Sequence, residues 1–505
     1  MVTGRTTNRG IAVLAALAVV VILPGAVGVA SADSVPGYRT GDGATPAKGS
    51  TGTADAPQLK PGLHTDSIQR GEQKYYAVTL DDRTSAYFSA VAAPPPGTKV
   101  EDYGDKLTVN VQDSAGTTCD TGAHPSFHGG GMAYPIADYA TRRIGADRME
   151  CQKAGPYYLV ITRQGSATSG ADTWPLELDY LDEPPLKGAT PARPGQGSWS
   201  TVTPAPRTDT TKRSAKGGTG FNDAGSVDSG VWKDRITPGE TRFYRVPVDW
   251  GQRLNLSAEL PNVPSGTSGF LARMLGLGVY NPARGVVDDL SFVSYTGKPA
   301  AAKEFTAPVA YGNRFQPAGS VNAMRFAGWY YLEVSLHPDA ARFFPKGAEL
   351  TLRVDVRGVA KAGPGYAEPT DTFSVTSEDR ETAEKGQTAQ QAAKSGTLMT
   401  VAYAGIGTGV VLLVGLGAWT LVARRSRTGA PATAIGSGGP GGPGGPGEQP
   451  SLPGQPSQPG QPGQPGQPGQ PSQPGQPGQP GQPGQSTQST QQARRNTQFG
   501  PPQGW

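Results

Sequence analysis

The chain of 505 residues carries 45 Lys and Arg against 41 Asp and Glu, with 72 Gly, 48 Pro and only 2 Cys. Its formal charge of +4 resides at the C-terminal end, where Arg424, Arg425, Arg427, Arg494 and Arg495 face a single acid, Glu448. Residues 33–423 hold 38 basic against 40 acidic side chains, which excludes the basic footprint of a nucleic-acid binder.

At the start of the chain, Arg5 and Arg9 precede an apolar run from Ile11 to Leu23 and an Ala-Ser-Ala stretch from Ala30 to Ala32. This is the layout of a secretory signal, so residues 1–32 are predicted to be a signal peptide and the rest exported. Residues 33–58 are small and polar, which predicts a flexible lead-in.

Two blocks follow, 59–183 and 219–360, separated by a Pro-, Thr-, Gly- and Lys-rich segment, 184–218, that reads as a linker, with Trp199 the residue through which part of it can lie on a module. In the first block Asp66, Ile68, Gly71, Glu72 and Tyr76 match Asp234, Ile236, Gly239, Glu240 and Tyr244 of the second at a constant offset of 168. Downstream, AGPYYL at Ala154 matches AGWYYL at Ala327 with an offset of 173, a net insertion of five residues in the second copy. A period this long indicates duplicated domains. Each copy also repeats, in order, short segments of alternating apolar residues punctuated by Gly and Pro, from AYFSAVA to WPLELDY and from LNLSAEL to LTLRVDV. The predicted fold is all-β, two tandem antiparallel β-sandwich modules with a jelly-roll or Greek-key path. Within the repeat, Gly71 and Gly239 suit turns and Tyr76 and Tyr244 suit the sandwich core, while Asp66 and Asp234 either cap a turn or ligate calcium.

Chemistry-bearing motifs are sparse. The four histidines form no His-Glu-x-x-His, and there is no Gly-x-Ser-x-Gly, Walker loop or dinucleotide fingerprint, so neither catalytic nor cofactor-binding residues are assigned. One cluster, CDTGAHPSFHGGG, places Cys119, Asp120, His124 and His128 close together, but its glycines mark a loop and no metal is assigned to it. Cys119 and Cys151, the sole cysteines of an exported chain, are predicted to form a disulfide. Asp288 and Asp289 are the acids a hydrolase would use; being adjacent in sequence they point to opposite faces of a strand, and they read as a solvated turn.

Residues 361–397 are polar and read as a membrane-proximal stalk. Residues 398–423 are apolar and uncharged, long enough to span a bilayer, with Arg424, Arg425 and Arg427 holding the cytoplasmic side. Within that span Gly405 and Gly409 have the spacing that lets two helices approach. Residues 424–505 settle into Gly-Gln-Pro triplets in which Ser457 and Ser472 replace glycine, which argues against a collagen helix and for a disordered, extended tail open to a cytoplasmic partner.

The order Asp, Ile, Gly-Glu, Tyr, followed by Ala-Gly-x-Tyr-Tyr-Leu, resembles the bacterial pre-peptidase C-terminal domain, a β-sandwich appended to many secreted peptidases. The resemblance covers both blocks. It implies accessory modules, some of which bind collagen, carbohydrate or calcium; no peptidase domain precedes either copy, so no catalysis is carried over. The expectation is a non-catalytic, single-pass plasma-membrane protein whose ectodomain binds an extracellular ligand or an envelope protein through loops such as HPSFHGGG. The rival expectations are an accessory subunit of a membrane complex and a hydrolase.

Overall fold

Alternation along each segment builds the strands: in QKYYAVTL the side chains of Lys74, Tyr76, Val78 and Leu80 are buried and those between them are exposed or half-buried. The computed structural model describes residues 35–145, 150–195, 197, 199–209, 211–263, 269–392 and 394. The signal peptide, the apolar span with Gly405 and Gly409, and the tail lie outside the described residues. Among the described residues, no helix is long and apolar enough to cross a membrane.

The first copy contains β1 (Thr45–Pro46), β2 (Gly62–Ile68), β3 (Gln73–Leu80), β4 (Ser85–Ala92), β5 (Lys106–Asp113), β6 (Thr118–Thr121), β7 (Ile136–Arg142), β8 (Gly155–Gln164) and β9 (Trp174–Glu183). They form two sheets, ordered β1-β2-β9-β4-β7 and β3-β8-β5-β6. The second copy contains β10 (Lys212–Ser214), β11 (Gly225–Ser226), β12 (Gly230–Ile236), β13 (Thr241–Val248), β14 (Arg253–Leu260), β15 (Leu271–Tyr280), β16 (Val286–Tyr295), β17 (Ala300–Phe305), β18 (Gly328–Leu336) and β19 (Ala348–Arg357). Its sheets run β10-β12-β19-β14-β17 and β11-β13-β18-β15-β16. Apart from the short strands β1, β10 and β11, each copy deals its eight strands between two four-stranded sheets in the order of a jelly roll. Each pair of sheets closes over its own core, around Tyr76 and Trp174 in one and Tyr244 and Trp232 in the other.

The duplication begins earlier than the sequence motif. Thr45 pairs with His64 as Arg213 pairs with Trp232, and Ser50 bridges Tyr75 as Gly218 bridges Phe243, all at the same offset of 168. Composition suggests a flexible lead-in at 33–58, yet residues 45–59 run along the first sandwich, with backbone bonds from Ser50 to Tyr75 and from Leu59 to Ala77. Small polar residues lack apolar area, but their backbone groups still satisfy an otherwise open strand edge.

The segment between the copies is also laid down. Arg253 donates to the Ser200 carbonyl at 2.7 Å, Arg353 to that of Arg207 at 2.7 Å and Gln316 to that of Pro194 at 2.9 Å. This extended strap crosses the outer face of the β10-β12-β19-β14-β17 sheet. Beyond β19, Lys361 bonds back to Trp250, and a helix, α1 of the C-terminal stretch (Ser377–Glu384), is held by Thr376 in a capping box with Asp379. Trp329 of β18 donates to Asp379 at 2.9 Å, so residues 361–384, which read as a stalk, lie against the second sandwich.

Candidate functional site

Asp66 does not cap a turn. Its Oδ2 accepts from the Tyr76 hydroxyl at 2.7 Å, the backbone N–H of Gly49 at 2.8 Å and Lys74 Nζ at 3.0 Å. Asp234 repeats this with Tyr244 at 2.6 Å and Gly217 at 2.8 Å. Donors crowd each carboxylate, so it acts as an anchor for the segment that precedes its sandwich; a cation would be repelled by the same N–H and ammonium groups. A Cβ on Gly49 or Gly217 would lie 2.7 or 2.8 Å from the tyrosine ring, which is why both positions are glycine.

Cys119 and Cys151 are joined in a disulfide that ties β6 to the approach of β8. His124 Nδ1 lies 3.0 Å from the Thr108 hydroxyl, while Asp120 accepts from Thr141, so these two residues of the CDTGAHPSFHGGG cluster turn to different partners. Among the described residues, no three His, Cys, Asp or Glu side chains gather as a metal site. The HPSFHGGG loop is not a free loop either. Phe127 is fully buried, and a Cβ on Gly129 would lie 3.2 Å from Phe292 of the second sandwich.

Asp288 and Asp289 are both exposed, as expected of a solvated pair, but they lie in the strand β16 and not in a turn. Asp288 meets Glu304, whose carboxyl is pushed up to about 9 by burial and then by its hydrogen bond to Asp288 and that acid's charge. Asp289, though exposed, is near enough to His128 of the first sandwich that partial desolvation raises its carboxyl and His128 opposes the shift.

The outer face of β9 docks on the second sandwich. Period-2 alternation sends Leu176 and Leu178 into the core and Glu177, Asp179 and Glu183 outward, but Glu177 and Glu183 are only 1 % and 2 % exposed. Glu177 meets Arg284 at 2.5 Å and accepts from Asn222 at 2.9 Å and Tyr38 at 2.8 Å. Glu183 takes both arms of Arg314, at 2.9 and 2.6 Å, together with the hydroxyls of Tyr87 at 2.6 Å and Tyr366 at 2.9 Å. Burial by itself would raise the Glu183 carboxyl; Arg314 and the tyrosines outweigh it and hold the group below its ordinary range. Beside Arg284, Phe221 sits on Phe243, Tyr280 and Tyr331, and in a separate cluster with Tyr87, Phe326 stacks on Phe373 at 4.4 Å. Sequence reasoning missed this joint. The acid alternation in LELDYLDE was visible, but it is also the pattern of a solvated strand face.

The joint also explains one departure from the repeat. Asp113 accepts from the N–H groups of Ala115 and Thr117, and Asn281 accepts from those of Ala283 and Gly285, building the same turn in both copies. Its left-handed position is Gly116 in the first copy, at φ 84°, and Arg284 in the second, at φ 59°. A side chain there costs roughly 1–2 kcal/mol of backbone strain. Arg284 occupies it because that turn aims the guanidinium at Glu177.

Where the strap enters the second sandwich, a groove of about 590 Å³ opens beside it. One wall is Pro191, Pro194 and Trp199; the floor is Trp250 and Tyr311; the other wall is Val359 to Pro364. Lys361 is the one charged residue among those lining it. Asn313 closes the base: its Nδ2 donates to the carbonyls of Pro308 and Met324, both at 2.8 Å, and its buried Oδ1 has no partner among the described residues. A second, more polar hollow of about 490 Å³ adjoins it across Trp250 and Pro364, lined by Lys187, Asp249, Glu368 and Asp371.

No protein-family model matches the chain, and no curated protein matches it significantly. Among solved structures, the ANXUR2 extracellular domain from Arabidopsis thaliana aligns over 59% of this chain and 85% of its own at 8% identity, with a TM-score of 0.15. The complex of the plant peptide RALF23 with FER and LLG2 aligns over 65% and 99% at 8% identity and a TM-score of 0.19. The CBM22 tandem domain of Paenibacillus barcinonensis Xyn10C aligns over 61% and 95% at 12% identity and a TM-score of 0.15. Likenesses this distant carry no argument about function.

Proposed function

We propose that this is a non-catalytic cell-surface protein whose two β-sandwiches act as one rigid binding head, taking an extracellular ligand or an envelope partner in the Trp199–Trp250–Tyr311 groove. In this reading the head is held outside the plasma membrane by residues 398–423, with the tail in the cytoplasm. The observation that carries it is the groove itself: a concave, mostly apolar site with aromatic walls and an orphaned buried acceptor is the form binding pockets take. The joint supports it, since buried ion pairs and stacked rings fix the groove's walls, which are drawn from the strap and the second sandwich. The hydrolase reading has less behind it. Asp288 and Asp289, the acids it would use, are both exposed along β16.

A photo-crosslinking residue placed at Val359, 82 % exposed at the mouth of the groove, tests the proposal in intact membranes. It should capture an envelope component that the same residue at the distant, exposed Phe270 does not, and the adduct should disappear on Trp199→Ala. Equal labelling at both positions, indifferent to Trp199→Ala, would sink the reading.

A further inference from the structure

We infer that the groove takes an extended, uncharged, proline-bearing peptide segment of a partner protein, held in polyproline II form; this rests on the binding role proposed above. Three independent observations lead there. The lining is aromatic and prolyl with Lys361 its one charged residue, so it offers mainly flat apolar faces and no cluster of charge to select a strongly acidic or basic ligand. Proline rings present such faces on a backbone already extended, which lowers the ordering cost of binding.

The second observation is Asn313. Both its N–H groups are spent inside the fold, and its buried Oδ1 has no donor among the described residues. A peptide supplies one from any residue between its prolines, so the fitting segment mixes proline with residues that keep their N–H.

The third is that the same surface already reads an extended chain in this manner. The described residues of the strap, between 194 and 207, make no ladder with the sheet beneath them; their carbonyls are taken one at a time by Gln316, Arg253 and Arg353. Side-chain donors spaced along a carbonyl-bearing strand are how a polyproline II segment is held, because it has no internal hydrogen bonds. Trp199 belongs both to this strap and to the groove wall, so the groove continues a track on which an extended segment already lies.

The test uses the full chain in detergent micelles and a fluorescent Ala-Pro-Pro repeat peptide, with a Gly-Ser repeat of equal length and a neutral oligosaccharide as the comparison probes. The peptide should bind saturably, Trp199→Ala should weaken it about tenfold or more, and Val359→Asp should weaken it too by bringing charge to the rim. Phe270→Ala should leave binding alone, and unchanged melting temperatures for the surface variants should certify their fold. Absence of saturable peptide binding, equal binding of the Gly-Ser repeat, or indifference to Trp199→Ala overturns the inference. Oligosaccharide binding that is lost on Trp199→Ala would overturn the peptide class yet leave the groove as a binding site. Failure of every probe together with failure of the Val359 crosslink would remove both.

Discussion

Each tyrosine of the duplicated motif is buried to its hydroxyl, and that hydroxyl is spent on an aspartate. Burial, reinforced by the neighbouring Asp66 or Asp234 charge, raises both phenols far above their ordinary range, so they remain neutral donors. Tyr76→Phe and Tyr244→Phe should each cost about 1–3 kcal/mol, since a buried carboxylate loses a partner, and Tyr→Ala at either site about 3–5 kcal/mol. Chemical denaturation checks this; loss of less than a few tenths from either Phe variant would mean the aspartate is satisfied elsewhere. Arg284 tests the joint at the same scale. Breaking a buried ion pair on one side typically costs about 3–5 kcal/mol, so Arg284→Ala should destabilise the second sandwich's contact with the first more than Gly116→Ala affects the first sandwich. Replacing Arg284 by Gly relieves the backbone strain and still loses the pair; if that variant is as stable as the parent, Glu177 is not the reason for the arginine.

Among the elements, β6 and the approach to β8 are held twice, by the disulfide and by Arg142. The buried Arg142 guanidinium donates to the carbonyls of Cys151 at 2.8 Å and Lys153 at 2.9 Å, fixing the segment that carries the second cysteine. The bridge closes a sequence separation of 32 residues, for which the chain-entropy estimate is about 3–4 kcal/mol. Because the buried joint couples the sandwiches, reduction should lower the melting temperature of both together; a calorimetric trace in which only the first sandwich shifts would argue that the joint does not make them one cooperative unit. Element existence was legible in the sequence because alternating runs such as KYYAVTL and LTLRVDV have one buried face. The lead-in was not legible, and of the linker only the docking through Trp199 was: their other contacts are backbone carbonyls and N–H groups, which every residue type possesses, so composition is silent about them.

Across the whole molecule, the joint contributes to the pH range of stability. Glu333 projects from β18 into the interface, fully buried, with Tyr280 donating to Oε2 at 2.7 Å and Oε1 without a partner among the described residues. Burial pushes its carboxyl up to about 8, against the pull of that hydrogen bond. The folded chain thus keeps a proton that the unfolded chain has already lost, so unfolding releases it and stability falls as pH rises from the ordinary carboxylate range to about 8. Glu183 has the opposite sign: held low, it contributes above its unfolded value and loses that contribution in acid. Melting temperature should therefore decline on both sides, and Glu333→Gln should make the alkaline limb shallower without touching the acid one, leaving the share of Asp138, raised to about 7 by burial, and Glu304, raised to about 9. An unchanged alkaline slope in that variant would place the titrating group elsewhere.

The sequence by itself determined the duplication, the all-β class and the pairing of Cys119 with Cys151, because these follow from local alternation, a long repeat and the presence of two thiols. Only the tertiary structure decided that the copies are fused face to face. A charged strand face reads the same whether it meets water or arginines, and Arg284 and Arg314 stand 107 and 131 residues from the glutamates they meet. The groove was hidden for the same reason: Trp199, Trp250, Tyr311 and Pro364 are scattered along the chain, and no spacing rule relates them until the strap crosses the second sandwich and brings them to one wall and floor.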